Sequence, residues 1–238
     1  IRELFERYDF DGLELDWMRF GYHFAAGKEA EGAELLTAFT REVRELAKVW
    51  SEKRGHPIKL GARVPTHPDA ARGMGMDGVR WAKEGLVDML VPTPFWSSSD
   101  FDIPIELWRQ QMEGADKNVV LAAGLEFNVR GYPGGDAMAN DLESTRGFSA
   151  ASLHRGADQI YLFNFMDSET IPVSTSDYRI LLENGMAMDT VTKLPRRHIV
   201  SYRDTVPSGF SNGAQLPFET QASATIRLYT GPALEKGK

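Results

Sequence analysis

Apolar and polar positions along the chain switch between two periods. Residues 12–20 (GLELDWMRF) open with strict alternation, Leu13, Leu15 and Trp17 on one side and Glu14, Asp16 and Met18 on the other, the repeat of a β-strand. From Ala30 to Arg54 the apolar residues Leu35, Phe39, Val43, Leu46 and Trp50 return every three or four positions. Gly55 and Pro57 then supply a stop, so this stretch predicts a long helix. The alternation repeats, with strands expected at 58–65, 87–94, 118–127 and 158–165. Helices are expected at about 76–84, 104–113, 140–155 and 177–186. Five strands separated by helices imply right-handed βαβ units and a parallel sheet, hence an α/β fold.

From Pro195 the texture changes. His198–Val206 and Thr220–Tyr229 read as strands joined by a Pro-, Gly- and Ser-rich stretch with no helix between them, which predicts an antiparallel pair. The expected division is therefore residues 1–194 as the α/β body and 195–238 as the start of a small C-terminal β domain. Two strands bury too little to stand alone, so that domain is read as truncated.

Charge narrows the class of partner. With 27 Lys and Arg against 34 Asp and Glu the formal charge is −7, and the one short basic cluster (Lys193, Arg196, Arg197, His198) is too small for a polyphosphate. Nucleic acid is excluded as the expected partner. The composition, 42% hydrophobic and 26% charged, is that of a folded chain, and apolar runs such as 86–92 and 119–125 are too short to cross a membrane. Absence of cysteine removes disulfides, thiolate nucleophiles and Cys-based metal sites. The chain opens on Ile1 with no leader and is expected to be a piece of a longer protein.

In closed α/β barrels the active site lies at the carboxyl ends of the strands. Polar residues gather there: Glu14, Asp16 and Arg19 on the first strand, Arg63 and His67 on the second, Thr93 and Trp96 on the third, Glu126 and Asn128 on the fourth, Asn164 and Asp167 on the fifth. Parity puts Glu14 and Asp16 on one face, opposite Leu13 and Leu15, and an inward carboxylate is costly unless it is used or compensated, by Arg19 or Arg63 here. A structural ion pair is the competing account. Glu126 follows the small inward residues Ala122 and Gly124, which leaves room for a ligand. Two carboxylates at a barrel mouth suit glycoside hydrolysis, one donating a proton and the other attacking or activating water. Trp96, Tyr22 and His23 lie where aromatic faces stack on sugar rings, and His67 sits in a rigid THPD loop; as core caps or solvated groups they need no ligand. Five histidines without H-x-H or i, i+4 pairing imply no metal site, and GMGMDG (73–78) lacks the phosphate-binding pattern.

Three segments carry a family resemblance. YDFDGLELDWMRF (8–20) resembles the fourth-strand motif DGIxLDxxR of the family-10-like glycosyl hydrolases. WAKEGLVDMLVPTPFW (81–96) is similar to their WxxEGxVDxxxPQxYW segment, and HRGADQIYLFNF (154–165) to their last strand, GADGxxLFNF. The resemblance spans about residues 8–190. It implies a (β/α)8 barrel of the TIM type of which only the last five βα units are present, since a complete barrel takes about 250 residues. A missing N-terminal half or a partner chain would close the sheet. It also implies a secreted or periplasmic bacterial enzyme of polysaccharide degradation with no cofactor.

On that resemblance and the inward carboxylates, the expected activity is hydrolysis of O-glycosidic bonds in a poly- or oligosaccharide. Asp16 is expected as general acid and Glu126 as nucleophile or base, with the roles exchangeable. Glu14, Arg19, Tyr22, His23, Arg63, His67, Trp96, Asn128 and Asn164 are expected to bind substrate or tune the pair. Arg19, Arg63 and Arg130 suggest an anionic sugar. The same segment also fits the chitinase pattern D-x-x-D-x-D-x-E as Asp11, Glu14, Asp16 and Met18, and a methionine in the acid's place argues against that mechanism. The alternative is a non-catalytic carbohydrate-binding protein on a degenerate barrel.

Overall fold

The computed structural model describes residues 1–18, 20–95, 97–116, 118–165, 174–207, 210 and 215–233. Five parallel strands form one sheet in the order β1 (Gly12–Asp16), β2 (Lys59–Val64), β3 (Met89–Pro92), β4 (Val120–Glu126) and β7 (Gln159–Phe163). Helices α2 (Glu29–Arg54), α3 (Pro68–Gly73), α4 (Gly78–Lys83), α5 (Ile105–Gln111) and α6 (Leu142–His154) cross between them. A two-stranded antiparallel hairpin, β5 (Asn128–Val129) with β6 (Met138–Ala139), stands after β4, and short helices α1 (Arg2–Arg7), α7 (Thr175–Ile180) and α8 (Met188–Val191) complete the order.

The sheet curls into a half-barrel. β1 and β7 are its opposite edges, yet Tyr161 on β7 donates its hydroxyl to Glu14 on β1 at 3.0 Å. A flat sheet would hold these edges apart; a curled one brings their concave faces together. On the convex face Leu60, Ala62, Val64, Leu90, Leu121, Ala123 and Leu125 are buried against Trp81, Trp108 and Phe148 of the helix layer. Parallel register then puts Asp16 beside Arg63, Arg63 beside Val91, Gly124 beside Tyr161, and Glu126 beside Phe163 on the concave side.

Local chemistry fixes the strand starts. Asp88 and Asp158 each precede a strand and accept the N–H of a neighbouring strand, Leu60 at 2.8 Å and Leu121 at 2.7 Å. Arg44 reaches Asp88 at 2.7 Å and Arg109 reaches Asp158 at 2.5 Å. A backbone N–H and an arginine thus hold both aspartates at the amino end of the sheet.

The long helix is present as α2, its buried side chains include Leu36, Thr40, Val43 and Ala47, and Arg44 turns inward to reach Leu86 and Asp88. One expectation needs correction, the pair of strands in the C-terminal segment. Residues 198–206 and 220–229 form no strand among the described residues; Tyr202 makes one isolated parallel bridge to Leu216. Arg197 brings the segment from 195 against α6. Arg197 N–H bonds the Glu143 carbonyl at 2.9 Å, and its own carbonyl passes so near Gly147 that a Cβ there would lie 2.0 Å from it. Only glycine admits that approach.

Candidate functional site

The carboxyl ends of the strands carry two carboxylate centres. The first is built on β1, β2 and β7. Asp16 accepts from the Met18 N–H at 2.9 Å, which sets its rotamer, and pairs with Arg63 Nη1 at 2.6 Å. The Asp16 side chain is 38% exposed, while that of Arg63 is fully buried. The guanidinium carbon lies 3.6 Å from the centroid of Phe163 and 5.7 Å from that of Tyr161, so two ring faces cover it. Its Nε and Nη2 make no hydrogen bond with the described residues, and Asp16 is its carboxylate partner. Deeper in the same face, burial raises the Glu14 carboxyl above its ordinary value, against the hydrogen bond from Tyr161 and the charge of Arg63. Burial and the neighbouring Glu14 carboxylate push the Tyr161 hydroxyl up to about 12. A cavity of about 360 Å³ opens below, at the amino ends of the strands, lined in part by Glu14, Lys59, Gly61, Met89 and Gln159.

The second centre is Glu126, at the end of β4. It is 1% exposed, and its two oxygens accept from Asn164 Nδ2 at 3.2 and 3.0 Å. Burial pushes its carboxyl up to about 7; the Asn164 hydrogen bond and the backbone amides of Phe127 and Asn128 pull the other way, and Asp204 adds a repulsive charge. Asn164 holds its donor in place from a left-handed backbone, φ 60°, the one non-glycine positive φ among the described residues. Asparagine tolerates that conformation better than most residues, and such a position at a strand end is a recurrent mark of a site. The Glu126 carbonyl is clamped as well, accepting from Asn140 Nδ2 at 2.8 Å and from Ser99 Oγ.

The rim above is laid down by residues 201–207. Asp204 accepts the N–H groups of Phe95, Ser97 and Ser98 at 3.1, 3.0 and 3.5 Å. Arg203 pairs with Asp100 at 2.6 Å, both side chains 3% exposed, and Tyr202 donates to Ser97 Oγ at 2.8 Å. Tyr22 donates to the Val206 carbonyl at 3.0 Å.

Sequence reasoning assembled part of this. Glu14, Asp16 and Arg63 do share one face, and Glu126 and Asn164 are in contact. Asn128 lies beside Glu126 at the start of the hairpin, and its carbonyl accepts from Ser99 N–H at 2.7 Å. His67 caps α3, accepting from the Asp69 N–H at 3.2 Å, and packs edge-on to Phe210. Burial, helped by Arg203, lowers its pKa. His23 reaches the Trp17 carbonyl at 2.8 Å, so it braces the β1 loop, with Tyr22 exposed beside it. Arg19, Trp96 and Asp167 lie outside the described residues. One expectation fails on sterics. The room beside Gly124 is taken by Thr93, whose side chain would lie 2.5 Å from a Cβ there. Arg130 ties loops together, bonding the Ser97 carbonyl at 2.9 Å and that of Gly135.

Tyr161 and Phe163 escaped notice although their signal was present. Gln159, Tyr161 and Phe163 alternate with Ile160 and Leu162, so the parity argument that singled out Glu14 and Asp16 applies to them equally. Asp204 and the Asp100–Arg203 pair had no local signal, because the partners are about a hundred residues apart. Among the described residues no three His, Asp or Glu side chains gather as a metal site, and no helix is long and apolar enough to cross a membrane. Compared with known proteins, the chain matches no family model, and no curated protein is similar enough in sequence to count as a match.

Proposed function

We propose that the half-barrel belongs to a (β/α)8 glycoside hydrolase that cleaves O-glycosidic bonds of a poly- or oligosaccharide with Asp16 and Glu126. The observation that supports this is the contrast between two strand-end carboxylates: Asp16 is paired with a buried guanidinium, and Glu126 is buried, without a cation among the described residues, and pushed up to about 7. Glycoside cleavage needs one carboxyl that holds a proton near neutral pH and one that carries charge. The contrast reverses the expected roles. Glu126 is the general acid, giving its proton to the leaving oxygen while Asn164 orients it. Asp16, negatively charged and partly open, is the nucleophile or the base that activates water. Arg63 keeps the Asp16 carboxylate in position, and Glu14 and Tyr161 support Arg63 from below.

One observation favours a second reading, a carbohydrate-binding protein without turnover: Glu126 is 1% exposed, so a ligand at the rim meets Asp16 before it meets the acid. The two are separated by incubating the protein with neutral and uronate-containing polysaccharides, following reducing ends, and running affinity gels on the same glycans. Release of reducing ends by wild type and not by Asp16→Asn or Glu126→Gln, with gel retardation kept by all three, is the expected result. Retardation without release supports the binding protein, and neither effect removes both readings.

A further inference from the structure

Residues 201–206 are not an appendage, and one carboxylate explains why. Asp204 is half-buried and gathers the N–H groups of Phe95, Ser97 and Ser98 from the loop between β3 and α5, with Thr205 Oγ1 donating at 2.9 Å to Oδ1, which Phe95 also reaches. Successive backbone N–H groups turned toward one point form an anion-binding concavity, and here the chain supplies the anion itself. Flanking contacts fix its approach. Arg203 is locked on Asp100 and the Asp102 carbonyl, Thr66 donates to Asp100 at 2.8 Å, and Tyr202 reaches Ser97. The same loop runs on to Ser99, whose hydroxyl bonds the Glu126 carbonyl.

We infer that Asp204 is a positioning residue of the carboxyl-end site: it fastens the 201–206 strap into the β3–α5 loop, the loop whose Ser99 holds the Glu126 carbonyl, and so brings a negative charge to bear on Glu126. The inference rests on reading this end of the sheet as the functional end, but its consequences appear without any substrate. Glu126 is faced by the neutral Asn164 from the end of β7, by the backbone amides of Phe127 and Asn128 from its own turn, and by the charge of Asp204 from the strap. Among the described residues Asp204 is the charged side chain in that set; burial is the larger cause of the raised Glu126 carboxyl, and the strap adds to it.

Two substitutions separate fastening from charge. Asp204→Asn keeps an acceptor for the loop amides and removes the charge, whereas Asp204→Ala removes both. Carbon-detected NMR titration of the Glu126 carboxyl should show a lower midpoint in Asp204→Asn than in wild type, with unchanged hydrogen exchange over residues 95–98. Asp204→Ala should lower the midpoint and also speed exchange at those amides and over the strap. A Glu126 midpoint unmoved in Asp204→Asn overturns the inference, as does exchange at 95–98 unmoved in Asp204→Ala. If Asp204→Ala does not fold, the Asp204→Asn titration decides alone. A missing glycan-cleaving activity would leave these readouts intact, so failure of the hydrolase reading and failure of this one are distinguishable.

Discussion

Asp16 and Glu126 end two strands of one curled sheet, yet the sheet treats them in opposite ways. Asp16 meets a guanidinium at 2.6 Å and keeps a third of its side chain in solvent; Glu126 is enclosed and meets a neutral amide. In the first centre the buried partner is the cation, so Asp16 is what makes Arg63 tolerable. In the second the buried group is the carboxyl itself, and it answers by holding its proton to about pH 7. The same residue chemistry at the same level of a sheet becomes a charge in one place and an acid in the other, and burial of the partner decides which.

The sharpest way to break this contrast is through turnover. Under the hydrolase reading, Asp16→Asn and Glu126→Gln each lower kcat/KM by roughly 10³-fold, measured as release of reducing ends. With Glu126 as acid, the wild-type rate falls as pH rises through about 7, and a rate that rises across that range would restore the opposite assignment. Stability should then divide the two isosteric amides in sign. Asp16→Asn strands the fully buried Arg63 and costs about 3 kcal/mol in urea unfolding. Glu126→Gln does the reverse at alkaline pH. A carboxyl raised from 4.5 to about 7 contributes stability that is full below the unfolded value and lost as pH rises through the folded one. Wild type should lose about 3 kcal/mol between pH 4.5 and 8 from this group, and the glutamine variant should lack that slope.

Smaller changes refine the picture. Asn164→Ala should cost about 1 kcal/mol more than Asn164→Gly, because alanine is strained at φ 60° and glycine is not. Both variants should raise the Glu126 titration midpoint, since both remove the hydrogen bond that lowers it. Tyr161→Phe should be the mildest, about 1 kcal/mol or less, with the Glu14 midpoint moving further up. No change in Glu14 would mean that the contact between the sheet edges is incidental.

What the sequence made legible follows from range. Five strands, their parallel order and the long helix came from short-period patterns, each decided by residues within a few positions. The same holds for Glu14 and Asp16, placed together by parity alone. The strand pattern at 198–206 misled because its buried residues are held one by one. Ser201, Arg203 and Thr205 are buried, but their side chains bond individually, to the Ser99 carbonyl, Asp100 and Asp204, and not through a ladder. The electrostatic contrast between Asp16 and Glu126 was out of reach, since Asn164, Phe163 and Asp204 approach from other parts of the chain.

The strap also sets an order of events. A ribosome releases β1 through β7 before it releases residue 201, so the strands of the sheet are out while the N–H groups of Phe95, Ser97 and Ser98 still lack the carboxylate that accepts them. Closing a loop of about a hundred residues is slow relative to pairing neighbouring strands, and the rim is therefore the last part of the body to set. A nascent chain interrupted before Asp204 would carry Asp16, Arg63 and Glu126 in sequence, and would hold a protonation balance different from that of the finished protein.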